Sequence, residues 1–356
     1  RLIRPGFEAT YPAQPYHPNF INRWKGFSVI RFMDWMDTNG NLTVSWSDRA
    51  KPSDATTTLR GASIELMCDL ANRTGAEPWF CIPAHADDTY VREFAKLVKA
   101  KLDFRLKPYV EYSNEVWNGQ FEQNSYAASM GQAQGLDNTP WGNAWRYTGR
   151  RSKQIFAIWK DVFGTRPMVR VVGTQAANSF VTEQILMQDE VWKTTDAVAI
   201  APYFGPAFFP DPTNPINSTA VSKWSVTQLL DYVQANTLPE AIGWMKAQKA
   251  VANRYKLALV AYEGGQHLVG AGGGENNDAL TTLLQNANAS PRMGQVYDQY
   301  LAAWKANGGG TFCHFSSTGA WSKWGSWGTN QWYDDTVTSS PKLAALYRWR
   351  AALMAR

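Results

Sequence analysis

Disulfides, metals and nucleotide phosphates find little to hold in this chain of 356 residues. Its three cysteines, Cys68, Cys81 and Cys313, are an odd and sparse set that offers no disulfide framework. Each falls in the apolar context of a helix face or a buried strand, where a thiol behaves as a small hydrophobe. The four histidines, His17, His85, His267 and His314, follow no metal-ligand spacing. There is no G-x-S-x-G elbow, no G-x-x-x-x-G-K-[ST] phosphate loop and no H-E-x-x-H, and the stretch GAGGGE at 270–275 lacks the spacing of a dinucleotide site. The run Asp37-Thr38-Asn39-Gly40-Asn41 alternates oxygen groups like a calcium loop but lacks the distal glutamate, so it reads as a turn. Basic residues number 35 against 30 acidic, a net charge of +5 with no Lys/Arg run, which gives nucleic-acid binding no footing. No stretch approaches the roughly 18 consecutive apolar residues of a membrane span, so a soluble chain is expected.

What the chain does have is tryptophan, 17 of them, several in polar, glycine-rich loops. An indole lies flat on a pyranose face and carries a polar N–H, so such loops suit carbohydrate binding. The first residue is Arg1 rather than methionine, and the expectation is that a signal peptide or an upstream domain has been removed.

Short apolar runs alternate with amphipathic stretches almost throughout, the pattern of a parallel sheet buried on both faces. Eight strands are expected, at 2–4, 27–34, 77–83, 107–113, 168–174, 197–203, 257–262 and 311–315. Helices are expected at 59–73, 90–102, 144–162, 179–193, 226–255 in two pieces broken near Pro239, 292–307 and 341–354. Eight such units predict an α/β fold, a (β/α)8 TIM barrel forming one domain over residues 1–356, with no linker or repeat. Long connections at 118–166 and 205–223 are expected to extend the loops on its C-terminal face, where such barrels keep their chemistry.

Two glutamates stand at the ends of these expected strands, Glu115 in PYVEYSNEVWN and Glu263 in LALVAYEGGQH. A retaining glycosidase needs two carboxyl groups about 5–5.5 Å apart, one ionised as nucleophile and one protonated as general acid. Glu115 is flanked by Tyr112 and Trp117, rings that would disfavour its charged form and suit an acid. Glu263 precedes Gly264-Gly265, whose missing side chains would leave room for a sugar ring, and it is the better nucleophile candidate.

With a fourth expected strand ending in Asn114-Glu115 and a seventh ending in Glu263, the chain resembles the clan A glycoside hydrolases, retaining (β/α)8 enzymes acting on β-glycans and related sugars. The runs RPGFE, RFMDW, PWFCIP and EYSNEVWN resemble bacterial secreted proteins labelled only as glycosidases or cellulose-binding proteins. The resemblance implies Glu115 as acid/base, Asn114 as the group that hydrogen-bonds the sugar 2-hydroxyl, and Glu263 as nucleophile. It further implies Arg31 as an arginine that keeps the nucleophile ionised, and Tyr203 as a hydrogen-bond donor to it. Arg31 also reads as an interior salt-bridge residue and Tyr203 as a packing residue.

Among other substrate-binding candidates, His85 follows the third expected strand, while Tyr262 and His267, on either side of Glu263, rank below it. Trp321, Trp324 and Trp327 share the loop SSTGAWSKWGSWG, and at least one should face sugar. Trp35 and Trp117 follow expected strand ends and could form platforms. The function read from these residues is hydrolysis of a β-linked polysaccharide or oligosaccharide through a covalent glycosyl-enzyme, with a carbohydrate partner and no metal or organic cofactor. A secreted or periplasmic location is expected. The alternatives are a non-catalytic carbohydrate-binding barrel and a transglycosylase that uses the same two glutamates.

Overall fold

The computed structural model describes Ile3 and residues 5–354. Strand β1 is Val29–Arg31, β2 Glu77–Ile82, β3 Tyr109–Tyr112, β4 Val169–Gly173, β5 Ala197–Ile200, β6 Ala207–Phe208, β7 Ala258–Ala261, β8 Val269–Gly270 and β9 Gly309–Phe312. Seven of them run parallel in the order β1-β2-β3-β4-β5-β7-β9, a nearly closed (β/α)8-type barrel ringed by helices. Of the expected strand at 2–4, residues 2 and 4 lie outside the described residues, and Ile3 belongs to no strand. The other expected strands form, each shorter by one to five residues than its apolar run, because pairing stops where the chain turns into a loop. β6 and β8 make a small separate parallel pair inside what reads as loop in the sequence.

By its internal packing the chain divides into two compact units, one of residues 1–200 with 251–259, the other of 201–250 with 260–356. The first is built on β1 to β5. Its centre is a run of aromatic rings, Phe80 against Phe32 and Phe94, and Trp159 against Phe94 and Phe163, all essentially buried. Helix termini there carry the signals that their residues dictate. Ser63 accepts from the Leu66 amide and starts helix Ile64–Thr74, which Gly75 ends at φ +72°; the helix thus begins five residues after the expected start at 59. Asp87 caps Asp88–Lys101, and Thr139 with Pro140 opens the long helix Pro140–Phe163. Helix Glu122–Ala133, not expected from the sequence, packs on that helix through Gly131, where a Cβ would come within 2.4 Å of the Asn143 carbonyl oxygen. The helix expected at 179–193 stops at Met187, and Asp189 and Glu190 adopt positive φ within the 3₁₀ turns that follow.

The second unit centres on Phe204, Tyr297, Tyr300, Trp304 and Phe312, in edge-on and tilted pairs. The break expected near Pro239 falls earlier, as a π-helical turn at Val233–Thr237 between helices Val226–Tyr232 and Leu238–Arg254. The wider turn sets Pro239, which has no N–H to give, in the first turn of the next helix, where none is needed. Helices Asp278–Ala289 and Pro291–Ala306 follow, capped by Asn277 and Ser290, and Pro341–Met354 forms where expected.

Candidate active site

In the first unit, strand register brings a polar group together inside an apolar sheet. Arg31 pairs in register with Trp79, and Cys81 with Glu111. Glu111, 1% exposed, accepts on one carboxylate oxygen from Arg31 Nε at 3.1 Å, Arg31 Nη2 at 2.8 Å and Trp79 Nε1 at 2.8 Å. Gly173 on β4 makes the space, since a Cβ there would stand 2.4 Å from the other carboxylate oxygen. A carboxylate removed from water persists only when its lone pairs are taken up in this way.

The same guanidinium reaches upward. Arg31 Nη2 donates to Asn114 Oδ1 at 2.9 Å, and Asn114 Nδ2 donates to Asn39 Oδ1 at 3.0 Å. Gln123 closes the arrangement, donating to Asn39 Oδ1 at 2.7 Å and to the Asn114 carbonyl at 2.8 Å, and accepting from the Gly40 amide. The run at 37–41 is thus a turn, pinned to Asn114. Beyond β3 the backbone turns sharply: Ser113 and Glu115 both have positive φ, at 54° and 43°. That turn presents Glu115 half-buried, with Asn118 Nδ2 donating to its carboxylate at 3.0 Å. Of the rings expected beside it, Tyr112 is buried with its hydroxyl on the Ala84 carbonyl, and Trp117 is half-buried with an indole nitrogen that meets no acceptor among the described residues. His85 bonds the Glu122 carboxylate at 3.0 Å and lies against Tyr126, ring centroids 3.8 Å apart. Trp35 stacks on Phe20 and tilts against Phe32.

In the second unit, Glu263 follows β7 by two residues and is 7% exposed. Tyr203 Oη donates to its carboxylate at 2.8 Å. The Tyr203 ring meets His267 and Trp327 edge-on, at 5.5 and 6.1 Å, and His267 and Trp327 meet each other at 5.2 Å. Burial lowers the His267 pKa from its ordinary value, so the ring sits neutral there near pH 7. Tyr262, on the alternate side of the strand, is buried.

The two glycines after Glu263 do not open space for a ligand, contrary to the reading from sequence. A Cβ on Gly264 would lie 2.5 Å from Phe312 Cζ, and one on Gly265, at φ +131°, would lie 2.7 Å from Tyr297 Oη. They are there so that the chain can press against those rings. In the loop after β9, Trp321 is half-buried, its indole donating to the Gly328 carbonyl at 3.2 Å, with Lys342 Nζ over its ring. Trp324 is 62% exposed with Lys323 over its ring, and Trp327 donates to the Trp324 carbonyl at 2.9 Å. Trp327, His267, Glu111, Asn39 and Gln123 are site neighbours that no local spacing ranks highly. Glu111 alone carries a local signal, an acid within an otherwise apolar strand.

Each unit therefore offers one carboxyl group at a strand end, held by a hydrogen-bond donor. Among the described residues no cluster of ligating side chains could hold a metal ion, and no helix is long and apolar enough to cross a membrane.

No family model matches the chain, and no curated protein matches it in sequence. Solved structures are similar to it in fold. A 4-O-α-L-rhamnosyl-β-D-glucuronidase from Fusarium oxysporum 12S, 14% identical, superposes with a TM-score of 0.52 over 93% of this chain and 63% of that one. The chain thus spans less than two thirds of that enzyme. One of two fungal β-1,4-galactanases, 12% identical, gives 0.48 over 92% of this chain and 90% of that one. A double mutant of the Cellulomonas fimi endo-β-1,4-mannanase, 11% identical, gives 0.48 over 93% and 72%. At 14% identity, what the likeness to the glucuronidase shows is the fold alone.

Proposed function

We propose that the chain is a retaining glycoside hydrolase acting on β-linked polysaccharides or oligosaccharides. The observation that carries this reading is the Tyr203 hydroxyl donating to the buried carboxylate of Glu263 at 2.8 Å. A phenol O–H given to a carboxylate oxygen is a charge-assisted bond that suits the anionic, nucleophilic form, and it fixes the carboxylate's direction. The fold shared with an enzyme named as a 4-O-α-L-rhamnosyl-β-D-glucuronidase supports the same class.

In this reading Glu263 attacks the anomeric carbon while Glu115 gives its proton to the departing glycosidic oxygen, which leaves as an alcohol. A glycosyl ester on Glu263 results. Glu115, now a carboxylate, takes a proton from water as that water attacks the same carbon, and Glu263 leaves. Two inversions give net retention. Asn114, whose Oδ1 is held by Arg31 and whose Nδ2 is steered by Asn39, would turn its second N–H to the 2-hydroxyl. His85, Trp35, Trp117, Trp321 and Trp324 would contact more distant sugars. Action on a polymer implies work outside the cytoplasm, by a secreted or periplasmic protein.

The test compares the wild-type protein with Glu263→Gln and Glu115→Gln on a panel of β-linked glycans, scoring reducing ends and the anomer first released by proton NMR. Retention by wild type, lost in both variants, supports the reading. No turnover on any glycan, an inverted product, or undiminished variants would overturn it; binding alone would point to a carbohydrate-binding barrel.

A further inference from the structure

Lys342, near the start of helix Pro341–Met354, is 0% exposed, and no acid among the described residues stabilises it. An amine buried in that way is costly, and a methionine or leucine would fill the same volume without the penalty. Its contacts show what it does there. Nζ donates to the Ser326 carbonyl and lies 4.8 Å from the centre of the Trp321 ring. The Ser326 carbonyl takes a second donor, Gln266 Nε2 at 3.0 Å.

Gln266 is 1% exposed and comes three residues after Glu263. Its Oε1 accepts from the Leu268 amide at 2.8 Å. Its own amide donates to Tyr297 Oη at 3.0 Å, Tyr297 bonds His314 Nε2 at 2.9 Å, and His314 Nδ1 bonds the Ser316 carbonyl at 3.0 Å. Because a carbonyl can only accept, Nδ1 carries the proton and Tyr297 donates to Nε2. Two points of the loop that bears the tryptophans, Ser316 and Ser326, are therefore tied to one residue on the segment after β7. From this loop Trp327 meets Tyr203, the donor to Glu263.

We infer that Lys342 and Gln266 are positioning residues: by sharing the Ser326 carbonyl they hold the loop at 316–330 on the segment carrying Glu263, and through Trp327 and Tyr203 they set the wall against which the sugar is held. The inference rests on the hydrolase reading for its kinetic consequence but not for its structural one. Neither residue touches substrate.

The experiment measures amide hydrogen exchange, thermal unfolding and steady-state kinetics on Lys342→Met and Gln266→Leu. Lys342→Met should unfold at the same or a higher temperature, yet exchange about tenfold faster at 316–330 while β7 and β9 stay as in wild type. KM for the glycan should rise several-fold more than kcat falls. A residue that merely supports the fold would lower the unfolding temperature and speed exchange everywhere, and that result, or unchanged exchange at 316–330, overturns the inference. If Lys342→Met does not fold, Gln266→Leu decides by the same exchange pattern. A wild-type protein without turnover on any glycan would sink the hydrolase reading, and loop exchange would still decide this one.

Discussion

Tyr203 and Glu263, sixty residues apart in the chain, meet as phenol and carboxylate with 2.8 Å between oxygens. The hydroxyl is the group's sole functional atom there, because the ring is already supported by His267 and Trp327. Tyr203→Phe removes the donor and leaves that ring packing. A hydrogen bond to a charged group is worth about 1.5–3 kcal/mol, so kcat/KM on a glycan substrate should fall by roughly 10- to 100-fold. Unfolding temperature should stay close to wild type. Unchanged kinetics would remove the observation on which the functional reading rests.

Strands β2 to β5 and β7 are legible because a parallel strand covered on both faces must be apolar throughout, and such runs are hard to mistake. Their ends are less so: 107–113 reads as one strand, but Ser113 and Glu115 turn through positive φ. Helix Glu122–Ala133 escapes notice because Ala, Ser and Gly give it no strong apolar face; small residues let it lie close to its neighbour. Carboxylates at strand ends stand out from the chain alone. The groups around them do not, since His267 and Trp327 meet through loops sixty residues apart. Glu111 is an instructive omission, because an acid in a fully buried strand has to be paired, and Arg31 in Val29–Arg31 was its visible counterpart.

That ion pair gives the second prediction. Arg31 and Glu111 have side chains only 4% and 1% exposed. Glu111→Gln or Glu111→Leu would leave the guanidinium buried without its counter-charge, with the neutral Asn114 Oδ1 still accepting from it, and losing one member of a buried pair costs about 3–5 kcal/mol. Arg31→Met with Glu111→Leu should cost clearly less than the two single changes added together, because neither charge is then stranded. Urea unfolding of the four proteins at pH 7 closes the cycle. Additive losses would mean that the pair contributes no coupling.

Trp324 and Trp327 share a loop but differ in burial, and they should separate in assays. Trp324→Ala removes an exposed ring and should leave stability within about 0.5 kcal/mol, weakening only the binding of longer oligosaccharides. Trp327→Ala removes a ring that touches Tyr203, His267 and Phe315, and should weaken binding of every oligosaccharide as well as stability. Calorimetric titration of both changes in a Glu263→Gln background reads binding without turnover. Equal effects of the two substitutions would contradict this division.

His314 supplies the pH dependence. Its ring nitrogens are held between the Tyr297 hydroxyl and the Ser316 carbonyl, and burial together with the nearby Lys342 charge lowers its pKa to about 3. Protonation at Nε2 would leave the Tyr297 proton without its acceptor. An unfolded histidine titrates near about 6.5, so between these values the unfolded chain binds a proton that the folded chain refuses. The histidine's contribution is therefore complete above about pH 6.5 and is lost as pH falls toward 3. At about 1.4 kcal/mol per unit, discounted because the ring keeps some exposure, the loss amounts to roughly 2–3 kcal/mol. Carboxylates titrate over part of the same range, so the comparison must be with His314→Gln, which keeps polar atoms but takes up no proton. Urea unfolding from pH 7 to pH 4 should show wild type losing stability faster than the variant, by close to one proton's worth of slope. Parallel curves would mean that His314 is protonated as readily in the folded chain as in the unfolded one, and the Tyr297 to Ser316 relay could then not be the neutral arrangement that ties the loop down.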